Sequence, residues 1–229
     1  MKLLASGRDG DVFEFAPGLV LRKTRDGRSI AHEARTMRYV AEHGYPVPRI
    51  EEVRADGTEI VMERIDGPIM MDAMVRPPWR LGDHLRLLAD LHDRLHRIPG
   101  PEWLAAMPDG GDRLLPLDLH PLNVIMSPKG PVVIDWPNAR RGDPMADVAV
   151  TYALITCGHI PLPRPVASTL NAVRTPVLRR FFAKRYLGPA FYGRVAEMAE
   201  LKCFDENMAP DEIRALRALA RKSRAKAPG

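Results

Sequence analysis

The sequence contains few cysteines and no long apolar run. Cys157 and Cys203 are the only two cysteines in 229 residues, too few for a disulfide framework, and they predict a reducing, cytoplasmic location. The longest uncharged run, from Val148 to Pro163, is too short to cross a bilayer. The first residues lack the long apolar segment of a signal peptide, so we expect neither a leader nor a membrane partner.

Positive charge is distributed unevenly. Residues 163–229 contain fourteen Lys or Arg against six Asp or Glu, a balance of +8, so the net charge of +5 leaves about −3 for residues 1–162. The most basic stretch, residues 214–226, has an Ala, Leu and Arg pattern typical of a solvated helix face. Binding to nucleic acid or anionic lipid is the alternative. No aromatic residues alternate with these charges, so a nucleic-acid partner is not favoured.

A turn flanked by two β-branched runs lies near the middle of the chain. Residues 127–130, Ser-Pro-Lys-Gly, have the chemistry of a type I turn, with Pro at its second position and Gly at its fourth. The flanking runs, residues 124–126 and 132–134, predict the two strands of a β-hairpin. A tight hairpin brings the start of its first strand beside the end of its second, so Asn123 and Asp135 are expected to be neighbours.

Asp118 lies five residues before Asn123, on the loop that enters this hairpin. Two carboxylates and a carboxamide that converge at one point are hard oxygen ligands, suited to Mg²⁺ that keeps waters and phosphate oxygens in its coordination shell. The alternative is that Asp118 and Asn123 only stabilise turns, as Asp and Asn commonly do. The joint spacing with Asp135 favours a functional site.

These residues carry a resemblance to a known family. Asp118-x-x-x-x-Asn123 followed by Ile134-Asp135-Trp136 resembles the catalytic and metal loops of the aminoglycoside phosphotransferase and choline kinase family, small-molecule relatives of protein kinases. Gly142-Asp143-Pro144 and Asp147 continue the resemblance downstream. It covers roughly residues 5–155.

The loop before Asp118 departs from the family pattern. The family loop commonly reads His-Gly-Asp-Leu-His-Pro-x-Asn, whereas this chain has Pro116 and Leu117 in place of the first His and the Gly. In the family this His braces the loop rather than reacts. Its loss therefore bears on loop geometry and rate more than on the type of reaction. His120 lies within the same loop, where it can brace the loop or approach substrate.

The resemblance implies an α+β, bilobal protein-kinase-like fold, with a small antiparallel-sheet N-lobe that carries one helix and a mostly helical C-lobe. We expect residues 1–66 to form the nucleotide-binding lobe and residues 67–229 the catalytic and substrate-binding lobe of one catalytic unit. In the family the hinge between the lobes receives the adenine edge. By position, the carbonyl of Glu63 and the N–H of Ile65 would do so here.

Two features near the N-terminus are candidates for phosphate binding. Gly7 and Gly10 occur in a predicted hairpin loop, where backbone N–H groups can approach phosphates, although many such loops are plain turns. In the strand that follows, successive side chains alternate between faces, so Arg22 and Lys23 point to opposite sides. The resemblance assigns the phosphate-binding cation to Arg22, with Lys23 as the alternative.

Glu33 falls on the apolar stripe of a helix predicted over residues 29–43, with Ser29 as its N-cap. A buried acid needs a partner. Arg22 is the candidate, which would give a kinase-type ion pair between strand and helix. The alternative is a Glu at the edge of the stripe, half in solvent.

Further helices and a hairpin are predicted along the chain. Residues 55–57 read as a second hairpin turn, and residues 81–98 as a long helix with a leucine stripe. Asp143 is expected to cap a helix that runs to Ile155. Residues 163–229 read as two or three helices separated by prolines 189 and 210.

The resemblance implies an enzyme that transfers the γ-phosphate of ATP or GTP to a hydroxyl of a small molecule, with Mg²⁺ as cofactor. Asp118 would be the catalytic base, and Asn123 and Asp135 the metal ligands. The alternative is a catalytically weak or inactive nucleotide-binding regulator of the same fold, which Pro116-Leu117 and an Arg22 in place of Lys favour. The sequence does not predict the oligomeric state.

Overall fold

A computed structural model describes residues 1–7, 10–75, 80–158, 188–205 and 208–227. The chain forms two compact units, Met1–Met107 with Asp112–Arg141, and Pro108–Gly111 with Gly142–Gly229. This partition differs from the predicted lobes, which stay a prediction. None of the described helices has the length and apolar character needed to cross a membrane.

The first unit begins with a five-stranded antiparallel sheet. Its strand order is β1-β2-β3-β5-β4, and its strands are β1 Leu3–Ser6, β2 Gly10–Ala16, β3 Leu19–Thr24, β4 Ile50–Arg54 and β5 Glu59–Glu63. Leu21 of β3 lies opposite Val61 of β5, and both are buried. The predicted second hairpin is confirmed, since β4 and β5 pair across a 3₁₀ turn at Ala55–Gly57.

Helix α1, Ala31–Glu42, lies between β3 and β4 in the chain and carries Glu33. It begins two residues later than predicted. The residue at its N-cap is Ile30 instead of Ser29, and the Ile30 N–H donates to the Gly57 carbonyl at 2.7 Å. This bond joins the helix start to the β4–β5 turn, so a tertiary contact decides where the helix begins.

The elements that follow β5 range from three-residue strands to the fifteen-residue helix α3. They are α2 Met70–Val75, α3 Leu81–Leu95, β6 Arg113–Leu115, a 3₁₀ turn at Pro121–Asn123, β7 Val124–Ser127, β8 Gly130–Val133 and β9 Arg140–Gly142. Helix α3 ends three residues before the predicted Ile98, whose N–H closes a tight turn onto the Leu95 carbonyl. The central hairpin is confirmed, because β7 and β8 pair with Ser127 opposite Gly130.

The second unit is helical in its described part. Its helices are α4 Pro144–Cys157, α5 Pro189–Lys202 and α6 Pro210–Arg224. The predicted cap of α4 is confirmed, because Asp143 Oδ1 accepts from the Met145 N–H at 2.9 Å. Small buried residues, among them Ala153, Ala199 and Ala220, form its core and let helices pack closely. The predictions for residues 163–187 lie outside the described residues.

Candidate active site

The open end of the β7–β8 hairpin places Asn123 and Asp135. The Ile134 N–H donates to the Asn123 carbonyl at 2.9 Å, so the ladder continues one step beyond the two strands. Asp135 follows with a φ of 68°, in the left-handed region. Asp and Asn are among the few residues besides glycine that adopt this conformation readily. The hairpin thus brings Asp135 out of the ladder next to the residue paired with Asn123.

Asn123 also contacts Asp118. Its Nδ2 donates to the Asp118 main-chain carbonyl at 3.0 Å and lies 3.4 Å from Asp118 Oδ2. Asn123 is buried at the end of the 3₁₀ turn. This orientation turns the amide nitrogen, which cannot bind a cation, toward Asp118, and leaves the carboxamide oxygen on the other branch of the side chain. Of the three residues expected at one point, Asp118 and Asn123 are thus in contact through their side chains, and Asp135 follows Ile134, whose N–H donates to the Asn123 carbonyl.

His120 braces the same loop. The Leu122 N–H donates to His120 Nδ1 at 3.3 Å, which caps the 3₁₀ turn. A neutral imidazole whose Nδ1 accepts a hydrogen bond carries its proton on Nε2. His120 Nε2 lies 3.7 Å from Asp118 Oδ1. Asp118 is thus flanked by His120 and Asn123, and of the two possibilities for His120 the contacts favour bracing.

The backbone just before Asp118 is in an unusual conformation. Leu117 has a φ of 56°, which costs a non-glycine residue roughly 1–2 kcal/mol. Its side chain is buried, with 4% exposure, and burying a leucine stabilises a fold by roughly 1.5–3 kcal/mol. Burial thus offsets the backbone cost. Glycine, which the family loop has at this position, adopts the conformation without penalty.

The ion pair that the sequence predicts between strand and helix is present. Arg22 Nη1 on β3 donates to Glu33 Oε1 on α1, and the Glu33 side chain is 1% exposed. Arg22 Nη2 also lies 3.4 Å from Asp135 Oδ1. The Arg22 guanidinium is therefore placed between two carboxylates. Lys23, the alternative, pairs with Glu59 at 3.1 Å and has a side chain more than half exposed.

A backbone contact that the sequence could not indicate completes this group. The Trp136 N–H donates to Glu33 Oε1 at 3.2 Å. Glu33 Oε2 is buried and has no hydrogen-bond partner in the described part of the chain. Trp136 is itself fully buried, and its ring lies edge-on to Tyr45. One carboxylate oxygen thus joins β3, α1 and the residue after Asp135. Contacts made through a main-chain N–H have no side-chain signature.

The glycine loop is closed by its own backbone. The Gly7 N–H donates to the Gly10 carbonyl at 2.9 Å. A Cβ at Gly10 would lie 2.4 Å from the Lys23 carbonyl oxygen, so the close approach of β2 to β3 requires glycine there. Arg22 lies opposite Val12 on β2, one strand away from this loop.

A polar cluster at the base of this loop was missed. Ser6 Oγ donates to Asp11 Oδ1 at 2.7 Å, and Arg25 Nε lies 3.2 Å from both Asp11 oxygens. The hydrogen bonds from Arg25, followed by that from Ser6, lower the pKa of Asp11 from 3.8 to about 2. The pairing of β2 with β3 is the feature that could have indicated this cluster. Asp11 pairs with Lys23, so Arg25, two residues on, projects to the same face.

The segment that contains Glu63 and Ile65 is anchored at both ends. Glu63 is the last residue of β5, and the Arg64 N–H donates to the Gly18 carbonyl at 2.9 Å. Further on, the Met126 N–H of β7 donates to the Pro68 carbonyl at 2.8 Å. The segment therefore runs from the sheet to the hairpin. All nine candidate residues lie in the first unit.

Comparisons with known proteins show the family of the chain and its fold. The model of the phosphotransferase enzyme family matches residues 1–117 and 102–176. The chain is 19% identical to a choline/ethanolamine kinase family protein from Mesorhizobium loti, with a TM-score of 0.54, over 99% of this chain and 88% of that one. The chain is 18% identical to an aminoglycoside-3'-phosphotransferase of type VIII, with a TM-score of 0.54, over 94% of this chain and 89% of that one.

A third similar structure is the streptomycin-ATP-APH(2")-IIa ternary complex, with 14% identity and a TM-score of 0.58 over 96% of this chain and 90% of that one. No curated protein matches the chain. The predicted α+β, protein-kinase-like fold is confirmed by these likenesses. Because the family model covers more than half of the sequence, the chain belongs to the phosphotransferase enzyme family.

Proposed function

We propose that the protein is a small-molecule kinase that transfers the γ-phosphate of ATP, or of GTP, to a hydroxyl group of its substrate. One observation carries this proposal: at the open end of the β7–β8 hairpin Asn123 contacts Asp118, and Asp135 contacts Arg22. Phosphoryl transfer depends on positioning and on neutralising charge rather than on covalent chemistry by the protein. A carboxylate base, oxygen ligands and a fixed cation meet those needs.

The donor set fits Mg²⁺, which Asn123 and Asp135 would hold. A carboxamide oxygen and a carboxylate are hard donors of the kind that this ion prefers. The amide nitrogen of Asn123 is already directed to the Asp118 carbonyl. Asp135, with a third of its side chain exposed, can be reached by a ligand. Bound Mg²⁺ would neutralise charge on the phosphate oxygens.

The remaining candidate residues bind the nucleotide in this proposal. Arg22, directed by the buried Glu33, contacts the α- and β-phosphates as a permanent cation. Backbone N–H groups of the Gly7–Gly10 loop cover the phosphates. The Glu63 carbonyl and the Ile65 N–H receive the adenine edge.

The transfer itself involves one proton and one phosphoryl group. The acceptor oxygen forms a bond to the γ-phosphorus while the bond from that phosphorus to the β,γ-bridging oxygen breaks. ADP leaves with the electron pair of the broken bond. The proton of the acceptor hydroxyl passes to the Asp118 carboxylate, which Asn123 and His120 hold in place.

The acceptor is a hydroxylated small molecule. One neighbour is solved with streptomycin and ATP, but the balance of +8 in residues 163–229 argues against a polycationic acceptor for this chain. Neutral or anionic hydroxyl compounds therefore come first in a search.

A screen of ATP consumption across hydroxylated metabolites and antibiotics tests the proposal. We expect at least one acceptor to support ADP formation, and Asp118→Asn to lower kcat by about 10²–10⁴-fold with little change in KM for Mg²⁺-ATP. Asp112→Asn is the matched control, because Asp112 is 79% exposed and pairs only with its neighbour Arg113 among the ion pairs described. Near wild-type turnover by Asp118→Asn would show that the assignment is wrong.

A regulator that binds nucleotide without turnover is the second candidate. The observation in its favour is the strained Leu117 in the loop of the base. Tight binding of Mg²⁺-ATP without ADP formation for any acceptor, and without hydrolysis, would favour it over the kinase.

A further inference from the structure

We propose that a pocket in the first unit binds a small organic anion, a molecule with a phosphate or carboxylate group on a compact apolar body. The volume of the pocket is about 260 Å³, which suits a small molecule, since typical ligand pockets begin at roughly 300 Å³. None of the nine candidate residues is among its described lining residues, which are His43, Gly44, Tyr45, Arg94, Arg97 and Ile98. We call it the anion pocket.

The C-terminal ends of helices α1 and α3 form the anion pocket. Arg94, in the last turn of α3, donates from Nη2 to the Gly44 carbonyl just after α1, at 3.1 Å. Its guanidinium lies 5.9 Å from the centroid of the Tyr45 ring. The Tyr45 hydroxyl donates to the Leu91 carbonyl of α3 at 3.2 Å. These contacts join the two helix ends, so the walls of the pocket are formed without a ligand.

The charge of the anion pocket is positive. Two arginines line it, and none of the lining residues that the structure describes is acidic. Arg94 is explained by the helix ends, because a cation stabilises the carbonyls at a helix C-terminus. The exposed Arg97 side chain has no hydrogen bond or ion pair within the described ranges. Its guanidinium is therefore available to form charge-assisted hydrogen bonds with an anion.

The wall of the anion pocket also has an apolar part. Tyr45 and Ile98 are each 4% exposed and line the same pocket as the arginines. Ligand sites commonly combine apolar walls with a few polar groups that fix the orientation of the ligand. An inorganic ion would use only the charged groups. The combination therefore favours an organic anion over an inorganic one.

The residues beside the anion pocket contact the hairpin of the candidate active site. The ring of Tyr45 lies edge-on to that of Trp136, with 5.7 Å between the centroids. The next residue, Pro46, accepts at its carbonyl from the Val133 N–H at 2.8 Å. Trp136 directly follows Asp135. We therefore expect a ligand in the pocket to change the surroundings of Trp136, which gives a readout that does not require catalysis.

An NMR titration of the ¹⁵N-labelled full chain tests the inference at constant ionic strength. Phenyl phosphate and benzoate are the probes. We expect saturable shifts of the amide signals of residues 43–45, 94–98 and Trp136, with a Kd in the millimolar range for at least one probe. The probe that binds more tightly identifies the charged group. Benzyl alcohol, which has the ring without the charge, should not shift these signals.

Inorganic phosphate measures what the charge contributes alone. Because it cannot use the apolar wall, its Kd should be at least about threefold higher than that of phenyl phosphate.

Arg97→Gln is the test variant. It should raise the Kd of the tighter probe by about tenfold, as expected for the loss of a charge-assisted hydrogen bond. Its Tm should stay within about 2 °C of wild type, since no described contact of the side chain is lost. Arg86→Gln is the matched control. Arg86 is an exposed arginine of α3 that pairs with Asp83 at 2.7 Å, and removing the same charge there should leave Kd within about twofold.

Four results overturn the inference. The first is that neither probe shifts the signals of the anion pocket. The second is that the shifts are confined to other residues, such as the Gly7–Gly10 loop. The third is an equal rise in Kd for the two Arg→Gln variants, which would indicate net charge instead of a site. The fourth is benzyl alcohol binding as tightly as the charged probes. These measurements report binding alone, so they hold whether or not the protein transfers phosphate.

Discussion

Helices α1 and α6 each bury a glutamate, and the hydrogen-bond donors to the two carboxylates come from different distances along the chain. Glu212 of α6 accepts a hydrogen bond from the Ala209 N–H at 3.0 Å, three residues earlier in the chain. Glu33 of α1 has partners 11 and 103 positions away, the Arg22 guanidinium and the Trp136 N–H. The Glu212 carboxylate thus accepts a hydrogen bond from its own helix terminus, whereas Glu33 Oε1 accepts from residues of distant segments.

This difference indicates what each residue does. The first N–H groups of any helix lack partners within the helix, so an acid at the third position stabilises the start of its own helix. Glu33 contacts Arg22 on β3 and Trp136, the residue after Asp135. This buried acid therefore joins segments that are far apart in the chain. Substitution of Glu33 should therefore change the kinetics of the candidate site as well as the free energy of unfolding.

The largest effect is expected from Glu33→Gln. The substitution keeps the shape but leaves Arg22 with Asp135, 3.4 Å away, as its described counter-charge. Removing one partner of a buried pair is costly, and with part of the charge still compensated we expect a loss of about 2–3 kcal/mol. Urea unfolding measures this loss, and kinetics should show KM for Mg²⁺-ATP raised by about tenfold. A change below roughly 0.5 kcal/mol, which is within the scatter of such measurements, together with an unaltered KM would contradict the coupling.

A smaller loss of stability is expected from substitutions of Glu212. Glu212→Ala removes the bond from the Ala209 N–H at the helix N-terminus, which costs about 1 kcal/mol, and Glu212→Gln keeps an acceptor oxygen and should cost about half of that or less. Neither should alter KM or kcat. Comparison of the two Glu→Gln variants by urea unfolding makes the contrast direct, and equal losses at both positions would remove it.

The smallest effect concerns the exposed pair of Asp11 and Arg25. Because the pKa of Asp11 is lowered to about 2, its contribution to stability is complete above the ordinary value near 3.8 and is lost as pH falls through about 2. An NMR titration of the Asp11 carboxyl should show a midpoint near 2 in the wild type. In Arg25→Ala the midpoint should return toward 3.8, and a wild-type midpoint near 4, the ordinary value for Asp, would contradict the pairing.

Local chemistry made much of the fold predictable. The Ser127–Gly130 turn, the Asp143 cap and the leucine stripe of α3 each depend on residues within a few positions of one another. The same locality brought Asn123 beside Asp135, because a hairpin joins positions symmetric about its turn. Predictions failed at element ends, as at Ser29 and Ile98, where contacts with other segments decide the boundary.

For the candidate site, the sequence predicted which residues take part, but it did not predict several of the contacts between them. Arg22 and Glu33 could be paired because the helical stripe places Glu33 on a buried face and the family resemblance points to Arg22. The Trp136 N–H on Glu33 could not, because every residue except proline offers a backbone donor. The left-handed backbone of Leu117 was hidden as well, since leucine is a residue that disfavours it.

The sequence by itself determined which oxygen-bearing side chains are available and which of them a single hairpin brings together. Only the tertiary structure decided how they are held: Glu33 buried against Arg22 and Trp136, and Leu117 retained at a positive φ beside Asp118. The physical reason is that turns and caps are set by interactions between near neighbours. A buried charge or a strained backbone persists only where segments distant in the chain supply the compensating contacts.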